Sequence, residues 1–92
     1  MVTAVVLLNI QRQAINETAQ ALLEIPGVAE VYSVTGEYDL VAILHLPRYE
    51  ELADVVTGKM VALEGITRTQ TMMAFKAYSR ADLEQAWDLG VE

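Results

Sequence analysis

Apolar residues fill both alternating sets of positions in the segment 28–46, which is the most informative part of the chain. Two apolar, β-branched runs meet there at a turn formed by residues 36–39. Because side chains alternate along a strand, the second run has apolar side chains on both faces. One set is Leu40, Ala42, Leu44 and Leu46, and the other is Val41 and Ile43. We therefore expect helices to cover one face of the sheet and a second copy of the chain to cover the other.

The periodicity along the chain predicts the element order β-α-β-β-α-β. Apolar runs predict strands, and apolar residues that recur at helical spacing predict helices. Pro26 and Gly27 end the first predicted helix, and Pro47 opens the second. Right-handed crossovers turn this order into an α+β ferredoxin-like sandwich, with both helices on one face of an antiparallel sheet. The predicted ranges are 3–9 (strand), 11–24 (helix), 29–34 (strand), 39–46 (strand), 48–64 (helix) and 66–78 (strand).

Each predicted helix has an apolar stripe that we expect to be buried. The stripes are Ile15, Ala19, Leu22 and Leu23 in the first helix and Tyr49, Leu52, Val56, Met60 and Leu63 in the second. We expect Gly58 to mark a close approach by another element. The last strand is long for its type, so we expect its end to reach a partner subunit. A short C-terminal helix is predicted with Ser79 as its N-cap, Asp82 three residues on and Trp87 as its anchor.

Composition indicates a single domain over residues 1–92 that assembles into a homo-oligomer. The 92 residues suffice for one modest core, and at 53% hydrophobic they leave little polar surface to coat a monomer. A formal net charge of −7 and a pI of about 4.5 argue against direct nucleic-acid binding. The lack of cysteine excludes disulfides, thiolate catalysis and cysteine metal sites. With neither a membrane-length apolar run nor a signal peptide, we expect a cytoplasmic protein without membrane contacts.

Three segments carry a resemblance to a known family. They read LLEIPGV at residues 22–28, VYSVTGEYDLV at 31–41 and GITRTQT at 65–71. Together they resemble the effector-binding domain of the Lrp/AsnC (feast/famine) regulators, over most of the chain from residue 3 to residue 78. The specific part is the pair formed by the Val-Thr-Gly-x-Tyr-Asp turn and the later Thr-x-Thr, since either piece alone is a weak signal.

The resemblance implies a function as well as a fold. Members of that family pair sheet against sheet into α+β-barrel dimers, the dimers associate into rings, and small ligands, typically amino acids, bind between dimers. Full-length members carry an N-terminal helix-turn-helix, whereas this chain begins at its first predicted strand. The resemblance therefore implies a stand-alone effector module that does not contact nucleic acid directly. It would act through its own assembly or by joining full-length regulators, and we expect it not to be an enzyme.

The candidate ligand site is the predicted hairpin turn together with the last strand. We expect the N–H groups of residues 35–38 to receive an α-carboxylate and Asp39 to receive an α-ammonium, because an amino acid carries both charges. Gly36 is the expected positive-φ position. The same residue types also suit a purely structural turn and strand, so both interpretations stay open. The candidate residues are Thr35, Gly36, Glu37, Tyr38, Asp39, Thr69 and Thr71, whereas Arg68 and Gln70 face the other way as solvent or interface groups.

Two other classes of function stay open. A dimeric α+β-barrel enzyme, such as a small monooxygenase, needs a polar or titratable group on the sheet face inside the barrel, where the sequence offers little besides His45. A ligand-free adaptor would instead pair with a DNA-binding homologue through its sheet edges. The sequence contains no His-Glu or Cys-His constellation and no Gly-rich phosphate loop. We therefore predict no catalytic residues, no cofactor and no metal site.

Overall fold

A computed structural model of the chain describes residues 1–80 as four strands, two α-helices, a 3₁₀ turn and a π-helical segment. The predicted ferredoxin-like order is confirmed, whereas the predicted C-terminal helix with Asp82 and Trp87 lies outside the described residues. The strands are β1 (Val2–Ile10), β2 (Val28–Ser33), β3 (Leu40–Leu46) and β4 (Ile66–Met73). The helical segments are a 3₁₀ turn (Arg12–Ala14), α1 (Ile15–Leu23), α2 (Tyr49–Asp54) and a π-helical segment (Val55–Met60) that continues α2 directly.

The sheet has the antiparallel strand order β2-β3-β1-β4, which places β1 and β3 at its centre. Their register runs from Val2 opposite Leu46 to Leu8 opposite Leu40. Every second residue of each central strand is therefore buried under the helices, and the predicted inward set on β3 is confirmed. The core consists of Ala4, Val6, Leu8, Ile10, Leu22, Ile25, Leu40, Ala42, Leu44, Leu46, Leu52, Val55 and Met60.

Helix α1 buries a narrower stripe than the sequence predicts. Leu22 is fully buried and Ile15 and Ala19 pack against the core, but Leu23 is 53% exposed. Successive helical residues are about 100° apart, so Leu23 turns away from the core when Leu22 points into it. Thr18, which the pattern assigns to neither face, is buried. Among the described helices none is long and apolar enough to cross a membrane.

The second helix departs from α-helical geometry, and this changes which residues it buries. After Asp54 the chain widens into the π-helical segment, whose hydrogen bonds join residues five apart. Val55 and Met60, which are five apart, are buried together, whereas Val56 is partly buried. Leu52 and Met60 of the predicted stripe are buried, and Val56 and Leu63 pack against the core. The prediction of a buried Tyr49 is wrong, since this side chain is 60% exposed.

The Thr57 hydroxyl donates to the Ala53 carbonyl at 2.5 Å inside the widened turn. Such side-chain bonds to the carbonyl four residues back bend helices, because they compete with the backbone ladder. Gly58 has no atom of the described chain within 4 Å of a Cβ built on it, so the prediction that it marks a close approach is wrong. The helix also ends at Met60, earlier than predicted.

Strand β4 is shorter than predicted, ending at Met73 and not near residue 78. The reason is the length of its neighbour. β1 begins at Val2, and the Ala74 N–H already donates to the Thr3 carbonyl at 2.9 Å, so later residues have no adjacent strand to pair with. A register shift near Asn9 makes Thr67 an extra residue of a β-bulge in β4.

Two glycines differ in whether their position in the structure requires a glycine. Gly27 has φ +99°, and a Cβ added to it would overlap Cδ2 of the buried Leu46. We predict that Gly27→Ala lowers the free energy of unfolding by about 1–3 kcal/mol through backbone strain and overpacking. Gly58→Ala should raise it by about 0.5–1 kcal/mol, because alanine favours the helix and space is open. Urea unfolding at one fixed subunit concentration measures both, and equal effects of the two substitutions would contradict the packing described.

Candidate functional site

The connection between β2 and β3, residues 34–39, contains a four-residue turn at residues 35–38. The Val34 N–H donates to the Asp39 carbonyl at 3.0 Å and closes the turn around residues 35–38. Gly36 has φ +109°, which confirms the predicted positive-φ position. Within residues 1–80, none of the N–H groups of residues 35–38 has an acceptor. These donors are available to a ligand or to a second copy of the chain.

Three hydrogen bonds fix the turn against the end of β1. The Asp39 N–H donates to the Leu8 carbonyl at 2.9 Å, and the Asp39 carboxylate accepts the Ile10 N–H at 2.8 Å through Oδ2. The Asn9 side-chain amide donates to the Glu37 carbonyl at 2.6 Å. Asp39 thus has a structural role that spans two strands, which goes beyond the local turn bond considered in the sequence.

Tyr38 connects the turn to β4. Its hydroxyl donates to Gln70 Oε1 at 2.7 Å, and Arg68 Cζ lies 5.5 Å from the centroid of its ring, within cation–π range. In the described part of the chain, Arg68 forms no ion pair with a carboxylate. The sequence predicts Arg68 and Gln70 to be solvent or interface groups and does not link them to Tyr38. Their alternation with the threonines is the one signal in the sequence, since it places both on the same face of β4.

The two candidate threonines lie on the opposite side of the sheet from this cluster. Thr69 pairs with Leu8 and Thr71 with Val6, whose side chains are buried under the helices. Directly paired residues share a sheet face, so the threonines share the helix-covered face. Thr71 lines a small groove of about 200 Å³ against the second helix. The structure therefore brings Tyr38 to Gln70 and Arg68 and not to Thr69 and Thr71, whose role in ligand binding stays a prediction.

The sheet face that the described helices leave uncovered is apolar at its centre. Val5, Leu7, Val41 and Ile43 contribute its partly exposed side chains, which confirms the predicted outward set on β3. Exposed Tyr32 on β2 and Met72 on β4 extend this face toward both edges, opposite Val41 and Val5. We call these six residues the open face.

Polar groups surround the open face. Glu30 accepts the hydroxyl hydrogen of Tyr32, and this hydrogen bond, together with the carboxylate's negative charge, raises the pKa of Tyr32. His45, which the enzyme alternative would need inside the barrel, is exposed, with Nδ1 3.1 Å from the Thr3 hydroxyl. In residues 1–80, no group of three or more His, Cys, Asp or Glu side chains is placed to hold a metal ion.

Comparison with known proteins identifies the same family as the resemblance. A family model described as the Lrp/AsnC ligand binding domain matches residues 3–83. The crystal structure of TTHA0845 from Thermus thermophilus is similar, with a TM-score of 0.82 and 51% identity over 87% of this chain and 100% of that chain. The hypothetical protein PHS023 from Pyrococcus horikoshii has a TM-score of 0.77 and 32% identity over 87% of this chain and 96% of its own.

The curated relatives are transcriptional regulators of greater length. The HTH-type transcriptional regulator FL11 of Pyrococcus furiosus is 30% identical over 77 residues, which are 84% of this chain and 50% of FL11. This chain spans half or less of the length of the curated relatives first matched.

The three hydrogen bonds that hold the turn against the end of β1 form what we call the clamp, and Asp39 takes part in two of them. The loss of its side chain should therefore destabilise the fold. We predict that Asp39→Ala lowers the free energy of unfolding by roughly 1.5–3 kcal/mol, because it removes a hydrogen bond to an ionised acceptor and leaves the Ile10 N–H without a partner. Asp39→Asn should cost less, since its amide oxygen can still accept. Glu37→Ala is the control and should stay within about 0.5 kcal/mol. Urea unfolding measures all three, and a cost for Glu37→Ala equal to that of Asp39→Ala would refute the clamp.

Proposed function

The chain belongs to the Lrp/AsnC ligand-binding domain family, and on that premise we propose that it is a sensor of an amino acid, acting in transcriptional regulation. In this proposal residues 1–92 form one domain, copies of the chain assemble through the open face, and the effector binds between dimers at the turn 35–39. The observation that carries the proposal is an apolar sheet face that residues 1–80 leave uncovered, beside a turn whose N–H donors have no acceptor in that same range.

The open face supports self-association. Both described helices pack on the other side of the sheet, and β1 and β3 leave apolar side chains in partial contact with water. A second copy that presents the same face buries both sets at once, which is the isologous arrangement of a two-fold dimer. Burial of apolar area is the main favourable term in such association. We therefore propose a sheet-to-sheet dimer that closes an α+β barrel.

The turn supports recognition of a zwitterion. The unused N–H groups of residues 35–38 suit a carboxylate, and the clamp on Asp39 holds these donors in place before any ligand arrives. One carboxylate oxygen of Asp39 accepts the Ile10 N–H, which leaves the other to accept from an ammonium group. A neighbouring dimer would supply the remaining walls of the site. We propose that Thr69 and Thr71 contribute to this site from the helix-covered face of the sheet.

In this proposal the position of the ligand between dimers is what makes regulation possible. A molecule held between dimers stabilises whichever assembly contains the complete site, and it shifts the population only by its difference in affinity between assemblies. We propose that this shift, in a ring of dimers or in a mixed assembly with a full-length regulator, is the output of the module.

A charge placed in the centre of the open face should break the dimer. We predict that Ile43→Glu converts the wild-type dimer or larger assembly into monomers, because two buried like charges would face each other across the interface. Gln20→Glu adds the same charge on exposed α1 and should leave the assembly intact. Sedimentation velocity at micromolar concentration gives the masses, and circular dichroism verifies that each variant is folded. A wild-type chain that sediments as a monomer would defeat the proposal.

Titration with the twenty amino acids tests the sensor directly. We predict that calorimetry on the assembled protein detects at least one binder, and that Asp39→Asn weakens it about tenfold or more, since a hydrogen bond to a charged group contributes roughly 1.5–3 kcal/mol. Glu24→Gln, an exposed carboxylate at the end of α1, is the matched control and should bind as the wild type does. Absence of heat with all twenty would count against an amino-acid effector.

A further inference from the structure

Strand β4 forms one edge of the sheet, and its last residues are apolar and uncharged. The strand order places β4 beside β1 alone. Residues 69–75 contain neither a charged side chain nor a proline, and Met72, Met73 and Phe75 are exposed. Natural edge strands are usually protected by charges or proline, because an open edge is a template for pairing with another chain. The end of β4 is therefore a candidate surface for association.

The hydrogen bonds of β4 show which of its backbone groups face this open edge. The Ala74 N–H donates to the Thr3 carbonyl at 2.9 Å, so Ala74 directs its backbone groups toward β1. Along an antiparallel pair, such residues alternate with residues whose backbone groups point the other way. Thr71, Met73 and Phe75 therefore direct their N–H and carbonyl groups away from β1, and these groups have no backbone partner within residues 1–80.

A groove of about 200 Å³ lies beside the same edge, on the helix-covered face. We call it the α2 groove, and it is lined by Tyr49, Leu52, Ala53, Val56, Thr57 and Thr71. An apolar cavity of about 150 Å³ is enough to hold benzene, so this groove has room for one aromatic ring. Phe75 does not fill the groove of its own subunit, since its side chain is fully exposed.

An antiparallel second copy brings Phe75 to such a groove. Phe75 follows Thr71 by four residues, which span up to roughly 13 Å of strand. When Met73 of one copy lies opposite Met73 of the other, Phe75 of each copy lies opposite Thr71 of the other. Directly opposite residues share a sheet face, so each Phe75 ring then lies on the helix-covered face beside the groove.

We propose that two copies of the chain pair the ends of β4 about a two-fold axis at Met73, and that Phe75 of each copy enters the α2 groove of the other. The pairing joins the backbone groups of Thr71, Met73 and Phe75 that face the edge. It is an isologous contact, in which both copies use the same surface.

Charge complementarity favours a second copy as the occupant of the groove. Lys76 and Arg80 follow Phe75, whereas Glu50 and Asp54 are exposed on the helix that lines the groove. Two cations thus lie in a short segment of a chain whose formal net charge is −7. In the proposed pair this segment continues along β4 of the other copy, beside its α2, so opposite charges approach each other twice.

This contact goes beyond the proposed function and uses a different surface. The open face lies on the side of the sheet opposite the α2 groove. The edge contact is small, so it is weak between single chains, whereas a sheet-to-sheet dimer offers two such edges and gains from multivalency. Edge pairing would therefore join dimers into a larger assembly.

A cysteine at the two-fold axis tests the pairing. The chain contains no cysteine, so Met73→Cys introduces a single thiol. Opposite residues of a hydrogen-bonded antiparallel pair have Cα atoms about 5.5 Å apart, which suits a disulfide. In a glutathione redox buffer we expect Met73→Cys to form a covalent dimer at least about tenfold faster than Thr67→Cys, because pairing raises the effective concentration of the thiol. Thr67, exposed on the same strand, would lie roughly 40 Å from its counterpart.

Further substitutions in the Met73→Cys chain test the groove and separate this contact from the open face. Phe75→Ser should slow cross-linking about tenfold, because burial of a phenylalanine side chain favours the pair. Tyr78→Ser, which removes another exposed aromatic ring nearby, should leave the rate unchanged. With Ile43→Glu added, the preference for position 73 over position 67 should persist at higher protein concentration, whatever becomes of the sheet-to-sheet dimer. Non-reducing electrophoresis gives the rates. If Met73→Cys reacts no faster than Thr67→Cys, or if Phe75→Ser has no effect, the edge pairing is wrong.

Discussion

The pairing of β1 with β3 is the constraint on which the rest of the structure depends. Both strands carry apolar side chains on both faces, and the described helices supply cover for one. Side chains alternate between the two faces of a strand, so rotating the strand cannot hide both apolar sets from water. The covered set forms the core, and the set that the described helices leave uncovered favours the self-association that we propose. The proposed effector site lies between the dimers that this association would form.

The turn between β2 and β3 depends on the same central strands. Asp39 and Asn9 bind the turn to the end of β1, so its conformation is set by a strand distant in sequence. These bonds occupy one oxygen of Asp39, while the N–H groups of residues 35–38 have no acceptor among the described residues. A structural role and a binding role are therefore compatible in the same residues, which explains why their sequence pattern alone supports both interpretations.

The π-helical segment contributes to two sides of the second helix. On the inner side Val55 and Met60 are both buried in the core. On the outer side Lys59 lines a cleft together with Glu51 and Asp54 of α2. A widened turn rotates every later residue relative to the earlier ones, so a single local irregularity changes both the packing and the charge arrangement of the helix.

The sequence by itself determined the element order, the inward and outward sets of β3, the positive φ of Gly36 and the family, because these follow from alternation, local turn chemistry and motif spacing. Tertiary structure alone decided that Tyr38 contacts Gln70 and Arg68 while Thr69 and Thr71 lie across the sheet, since strand register joins residues about thirty positions apart. It also decided the length of β4, which its neighbour limits, and the π-helical geometry of residues 55–60, which a prediction based on α-helical spacing does not anticipate. These features depend on hydrogen-bond partners and neighbouring strands. Such contacts produce no periodic pattern in the local sequence from which they could be predicted.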